Sequence, residues 1–509
     1  MTSICAGGPH GRLEAVRTAS LLILVFTGSL AHAAGGNVEE RIRSITTEIP
    51  PAIILEGEPR KPVTLADRMG ALHVPGVSIA VIHHGTLEWA RGFGVVKLGG
   101  APVTPETLFQ AASISKPITA LAVLNLVDGG KIKLDANANE YLRSWKLPEN
   151  EFTAREKVTV RELLSHTAGV TVGGFGGYYA GEPLPTLRQI LDGQPPANNA
   201  PIRVDTVPDT AWRYSGGGYV ILRQLLEDVT GLPFASLLQE SVLAPIGMTR
   251  STLQQPTSAV ALATAVALAA AAVPHDREGR PVSGGPKFYP ELAPDGLWTT
   301  PSDLARYVMA VQGSLAGKRG SLLSAATAHL MLTARLTPYG LGVIVGDDVQ
   351  HPWFTHNGGN YGYSCVFVAY NQDDGAVVMA NGENGYQLEV DILRSIAHEY
   401  NWPDFQPIRH HVVPVEAQML ARYVGAYQLS KERFAAVLKE GRGLAFQATD
   451  QGRQPVFPLA SNEFVLKQPS VNGLLNRDEE TKIRFESDGD APATGMSVVG
   501  SGTGTGPAR

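Results

Sequence analysis

The chain has 509 residues, 44% of them hydrophobic and 18% charged, with a formal net charge of −6. That composition excludes a fibrous or disordered protein. With no long basic stretch, the chain also carries no nucleic-acid footprint.

Arg12 and Arg17 precede the apolar run 21–26, and small residues follow to Ala31-His32-Ala33. This is the order of a secretory signal over 1–33, and the run is too short to span a bilayer. The expectation is an exported protein, periplasmic or secreted, with no stable membrane span. Cleavage removes Cys5 and leaves Cys365 without an intramolecular partner. Cys365 lies in the apolar run Cys365-Val366-Phe367-Val368, the setting of a small core residue.

Ala34 to about Arg60 reads as a connector with a short helix, broken by Pro50-Pro51. Gly76–Ile82 and Thr86–Ala90 read as an antiparallel hairpin. His83-His84 sit at its tip as turn residues, not metal ligands. Helices and loops then dominate from Leu108 to Gln312. Ile118, Leu121, Leu124 and Val127 recur at helical spacing and stop at Gly129-Gly130. A short helix is expected over Arg161–Ser165 and a longer one over Tyr219–Val229, stopped by Gly231. Ala261–Val273 reads as an alanine-rich helix.

Strand signals return at Cys365–Tyr370 and Ala376–Ala380, on either side of the turn 371–375. Strands at both ends of a helical middle imply an α+β fold: an antiparallel sheet flanked by helices, over 34–405. Beyond Pro403 to Pro414, runs such as Phe434–Leu438, Leu444–Phe446 and Ile483–Phe485 predict a small all-β, barrel-like module over 415–499. Residues 500–509, rich in Gly and Thr, read as a disordered tail.

The chemistry starts at Ser113-Ile114-Ser115-Lys116. A serine hydroxyl is a weak nucleophile that needs a base within reach and donors for the oxyanion it creates. Three-residue spacing at a helix start puts Ser113 and Lys116 on one face. The helix N-terminus adds exposed backbone N–H groups. Such a spacing alone occurs by chance about once in a chain of this length, and a helix cap with a solvated lysine explains it equally well.

Two later stretches add weight: Tyr214-Ser215-Gly216 before a helix, and His356-Asn357-Gly358-Gly359 before the late hairpin. With these three in order, the chain resembles the serine β-lactamase and penicillin-binding protein family. It resembles most the branch with Tyr in the second motif: class C β-lactamases, DD-peptidases, D-aminopeptidases and related esterases. The resemblance runs from about Leu72 to Tyr400 and takes in Leu163–Gly169 and Gly296–Leu304. It implies a β-lactamase/transpeptidase-like fold, and the C-terminal module resembles the lipocalin-like domains of some members.

The resemblance also implies roles. Ser113 attacks the carbonyl, and Lys116 and Tyr214 share the base work, as a neutral amine or a phenolate. The backbone N–H groups of Ser113 and of a residue on the strand after His356 form the oxyanion hole. His356 stands on an edge strand, with Gly358, Gly359 and Gly216 lining the substrate site. His166 is expected to hold a turn. Two departures stand out: Gly216 replaces the frequent Asn of the second motif, and His356 the frequent Lys of the third. Both point away from a dedicated β-lactamase.

The resulting expectation is a serine hydrolase, without cofactor or metal, that cleaves amide bonds of a small molecule or short peptide. D-residue and linear non-ribosomal peptides are candidate substrates. A carboxylesterase with the same nucleophile, a β-lactamase and a non-catalytic scaffold are the alternatives. The pattern leaves the oligomeric state open.

Overall fold

A computed structural model describes residues 37–59, 61–255, 271–449, 451–467, 470–472, 477–486 and 491–500. The expected signal, most of the helix over 261–273 and nearly all of the tail lie outside them; the described part of that helix, 271–273, is without regular structure. The chain divides into two compact units, Met1–Ser44 and Ile45–Arg509. The second carries every candidate site residue.

Its main sheet has six strands: β2 (Gly76–His83), β3 (Thr86–Gly94), β4 (Ile344–Val345), β5 (Trp353–Asn360), β6 (Tyr363–Tyr370) and β7 (Gly375–Ala380). Their order is β3-β2-β7-β6-β5-β4, every pair antiparallel. The first hairpin, read from the sequence as far as Ala90, continues to Gly94. All eight residues of β6 and all six of β7 are buried, so both faces of the sheet are covered at its centre. Two further strands, β1 (Ile53–Glu56) and β8 (Ile408–His411), pair in parallel, Ile53 opposite Ile408.

Five helices frame the site: α1 (Ser115–Asp128), α2 (Val160–Ser165), α3 (Gly216–Thr230), α4 (Pro301–Leu315) and α5 (Gly385–Glu399). Residues Ser115 to Leu124 of α1 are all buried, the signature of a helix enclosed on every side. α4 packs on β2, β3 and β7, and α5 on β6 and β7. Helix ends follow local chemistry. α2 starts in a capping box, where Thr159 and Glu162 exchange side-chain and backbone bonds. α3 ends at Gly231, whose φ of 72° is the left-handed conformation glycine adopts freely.

The C-terminal module is a nearly closed seven-strand antiparallel barrel. Its strands are β9 (Gly425–Gln428), β10 (Phe434–Glu440), β11 (Gly443–Ala448), β12 (Gln454–Pro458), β13 (Glu463–Leu466), β14 (Thr481–Glu486) and β15 (Gly495–Gly500), paired in that order. Tyr423, Val437, Phe446, Phe464, Ile483 and Phe485 fill its core. Val465 turns the other way and packs with Ile53 and Leu55 of β1. A small apolar cluster therefore joins barrel and β1. Leu55→Ala should cost about 2–5 kcal/mol through lost burial and a residual cavity. A urea titration read by tryptophan fluorescence checks this.

Candidate active site

Ser113 lies in a single 3-10 turn, Ala112–Ile114, immediately ahead of α1. The turn is tighter than the helix start the spacing implied, yet it still brings Lys116 round. Lys116 Nζ lies 2.9 Å from Ser113 Oγ. Ala112 holds φ at 47°, a left-handed conformation costing a non-glycine residue about 1–3 kcal/mol. Its neighbours hold it there. Ser115 Oγ donates to Ala112 O at 2.6 Å and accepts the Leu297 N–H at 2.9 Å. Ala111 N–H donates to Leu297 O at 2.8 Å, and the buried Cys365 thiol donates to Ala111 O at 3.0 Å. Cys365 is thus a packing and hydrogen-bonding group beneath the turn.

Lys116 is 1% exposed. Its Nζ also donates to Pro294 O at 3.1 Å and approaches Asp295 Oδ1 at 3.5 Å. Burial pushes the ammonium down, but the Asp295 carboxylate and the Tyr214 hydroxyl together outweigh it, and the group stands above the ordinary lysine range. Of the two forms left open by the motif, these surroundings favour the ammonium. Asp295 is a residue the sequence reading missed. It immediately precedes the Gly296–Leu304 stretch, so an acidic residue at the edge of a motif was the available signal.

Tyr214 leads into Ser215, the N-cap of α3. Lys116 Nζ lies 4.8 Å from the Tyr214 ring centroid. Behind it runs a chain of neutral groups. His166, left-handed at the end of α2, accepts the Ser215 N–H on Nδ1 at 3.1 Å. Its Nε2–H therefore donates to Tyr339 Oη at 3.2 Å. The Tyr339 hydroxyl donates to His356 Nε2 at 3.1 Å, and His356 Nδ1–H donates to Asn357 O at 2.6 Å. Burial first, then the Lys116 charge, depress both histidines, His356 to about 3. His166 thus joins the second motif to the third, which is more than holding a turn.

β5 is the penultimate strand of the sheet, not its edge. The two-residue β4 covers Phe354 and Thr355 and stops before His356, whose ladder partner is Phe367 on β6. Among the described residues, no strand pairs with the outer side of β5 from His356 onward. Gly358 faces the turn: a Cβ there would stand 2.2 Å from Ala111 O and 3.1 Å from Ser113 N. A Cβ on Gly359 would meet nothing within 4 Å, which places that position on open space.

Residues 64–400 match the family model described as Beta-lactamase. The chain belongs to the Beta-lactamase family. It is a serine hydrolase, from a family with peptidase, amidase and esterase members. Penicillin-binding protein 4* of Bacillus subtilis is 23% identical over 450 residues, covering 83% of this chain and 94% of that protein. Penicillin-binding protein 4 of Amycolatopsis lactamdurans is 29% identical, covering 64% and 86%. In fold the chain is similar to the octameric penicillin-binding protein homologue from Pyrococcus abyssi, with a TM-score of 0.56 and 22% identity over 85% of this chain and 96% of that one.

Within this family frame, Gly216 has a structural reason. Gly216 N–H and Gly217 N–H donate to Gly173 O and Val172 O, both at 2.9 Å, and Ser215 Oγ donates to Thr171 O at 2.8 Å. The loop 171–175 is thereby zipped onto the start of α3. A Cβ at Gly216 would stand 3.0 Å from the Phe175 ring and 3.1 Å from Gly173 O. Phe175 thus fills the space beside Gly216. The cleft above Ser113 holds about 560 Å³ and is lined by Phe175, Tyr214, Tyr289, Asn357, Gly359 and Tyr361, among others. Far from it, His83, His84 and Asp374 have metal-ligand spacing. Asp374 Oδ1 already lies 3.0 Å from His83 Nδ1 and accepts the His84 N–H at 3.1 Å, so the trio ties the hairpin tip to the turn before β7.

Two predictions follow from this geometry. Gly216→Asn should lose about 1–3 kcal/mol from overpacking and gain no cephalosporin turnover, while adding Phe175→Ala should restore at least half the stability. Urea midpoints and a chromogenic cephalosporin check this. The second concerns pH. A histidine kept neutral in the fold takes up its proton first in the unfolded chain, so stability is full above about pH 6.5 and falls as pH drops below it. The loss is about 1.4 kcal/mol per pH unit per histidine, continuing for His356 toward about 3. Urea titrations between pH 6 and 4 should show His356→Gln reducing that slope by one histidine's share.

Proposed function

We propose that the chain is an exported serine hydrolase that cleaves amide bonds of small peptides through an acyl-enzyme on Ser113. The observation that carries the reading is the 2.9 Å contact from Lys116 Nζ to Ser113 Oγ at the base of the aromatic cleft. Lys116 and Tyr214 assist proton transfer. Gly358 brings β5 against the Ser113 turn, so that Ser113 N–H and an N–H of β5 receive the oxyanion. His356, Gly358, Gly359 and Gly216 shape the substrate site.

The cleft volume suits a short peptide or small amide. His356 is neutral in its surroundings, so the third motif offers no fixed positive charge to a substrate carboxylate. Both features support D-residue or linear non-ribosomal peptides over a dedicated β-lactam substrate. Export rests on the charged, apolar and small-residue order of residues 1–33. The domain boundaries proposed are 34–405 for the hydrolase and 415–499 for the barrel.

A carboxylesterase is the second reading, favoured by Gly216. With no side-chain amide donor there, and Phe175 against the backbone, less is available to hold an amide substrate. Esters demand less leaving-group protonation than amides. A fluorophosphonate probe should label the wild type and leave Ser113→Ala unlabelled, with at least a thousandfold loss of turnover. Ser113-dependent cleavage of peptides supports the amidase, and turnover of nitrophenyl esters alone supports the esterase. An unlabelled wild type whose rates equal those of Ser113→Ala leaves a non-catalytic scaffold.

A further inference from the structure

Among the described residues that line the cleft above Ser113, one side chain carries a formal charge, Glu383. It lies on the loop between β7 and α5, and that loop is pinned at both ends. Asn381 Nδ2 donates to Val96 O and Asn384 Nδ2 to Leu72 O, both at 2.9 Å. Between them, Glu383 N–H donates to His275 O at 3.0 Å. The carboxylate is fixed by the turn between β5 and β6, where Gly362 N–H donates to Oε2 at 2.9 Å. Among the described residues, Oε1 has no hydrogen-bond partner and the carboxylate no ion pair.

Phe175, Tyr289, Tyr361 and Tyr386 line the same cleft. Burial holds the Tyr289 hydroxyl above the usual phenol range, and Glu383 is among the charges that add to this, so carboxylate and wall are electrostatic neighbours. The positive groups placed around the cleft are answered elsewhere. Lys116 at its base approaches Asp295, and His356 is neutral. Lys287 Nζ donates to Gly176 O at 2.8 Å and lies 4.9 and 5.5 Å from the Tyr179 and Tyr361 ring centroids.

A carboxylate held in place, with one oxygen unpartnered and π faces around it, suits a cation. The ion pair forms without ordering a second protein side chain, the usual cost of surface pairs. The rings add cation–π attraction. An anionic substrate meets the same charge as repulsion. Resting on the Ser113 reading above, we infer that Glu383 is a specificity-determining residue that selects substrates carrying an ammonium or guanidinium group. The N-terminal amine of a peptide and a basic side chain offer Glu383 the same chemistry, and the test separates them.

The probes are nitrophenyl esters, which both hydrolase readings turn over, in two matched pairs. One pair is the D-alanine ester with its amine free or acetylated. The other is the N-acetyl-D-lysine ester against its N-acetyl-D-norleucine counterpart. The preference for the cationic ester, read as a ratio of kcat/KM values, is expected to be at least tenfold greater in wild type than in Glu383→Gln for at least one pair. Comparing the two proteins cancels the intrinsic reactivity of the esters. An exposed ion pair would give about fivefold at most, so tenfold marks the fixed carboxylate. An effect in the first pair assigns the N-terminal amine, and one in the second the basic side chain. A smaller change in both pairs overturns the proposal. Should Glu383→Gln fail to fold, wild type decides alone. After division by the uncatalysed rates, the cationic ester of at least one pair is expected to lead tenfold, and a smaller lead overturns the proposal. Ser113→Ala separates the two readings. If its rates fall to background while wild type shows no preference, this inference alone fails. If they equal those of wild type, the Ser113 reading fails with it.

Discussion

An ammonium removed from water must be answered by acceptors held rigidly around it, and the site is arranged about that demand at Lys116. The α1 helix is enclosed on every side from Ser115 to Leu124, so the lysine that follows Ser115 has no route to solvent. One acceptor, Ser113 Oγ, is on the preceding turn; the others, Pro294 O and Asp295 Oδ1, come from a loop nearly 180 residues later. That loop is stitched to the Ser113 turn by the Ser115 hydroxyl and by the paired N–H and C=O of Ala111 and Leu297. The same stitches hold Ala112 in its left-handed conformation. Charge compensation and backbone strain thus share one set of hydrogen bonds, and loosening either loosens the other.

A second constraint follows from the first. A further cation next to a buried Lys116 would raise the electrostatic cost of both. The histidines of this site are kept neutral instead. His166, Tyr339 and His356 form one donor-to-acceptor chain, each ring nitrogen with a defined partner. The chain ties the start of α3 to β5, so the second and third motifs move as one body. Where the family often has lysine in the third motif, His356 contributes polarity and shape without adding charge.

Much of the scaffold was legible because its signals are local. Alternation and turn residues placed both hairpins of the main sheet, and helical spacing ended by glycine placed α1 and α3, while α2 was legible only as a short helical stretch. The barrel strands showed as short apolar runs between turns. What escaped was set by pairing. The two-residue β4 has too little pattern to be seen, and its presence makes β5 penultimate. β1 owes its place to Ile408–His411, more than 350 residues away. Tyr339 and Phe175 are unremarkable in sequence, because each acts through a partner from another segment.

From the residues alone, the identity and order of Ser113, Lys116, Tyr214 and His356 were already determined, along with the helix that begins just after the first. Spacing of three along a turn is enough to bring Ser113 and Lys116 together. The absence of a second-motif amide at Gly216 was equally plain. Only the tertiary structure decided the charge state that Lys116 prefers, because that depends on Asp295 and Tyr214, brought to it by folding. It also decided why Gly216 has no side chain, since the loop 171–175 carries Phe175 into that space. Hydrogen bonds and ion pairs act through a few ångströms of space, whatever the distance along the chain.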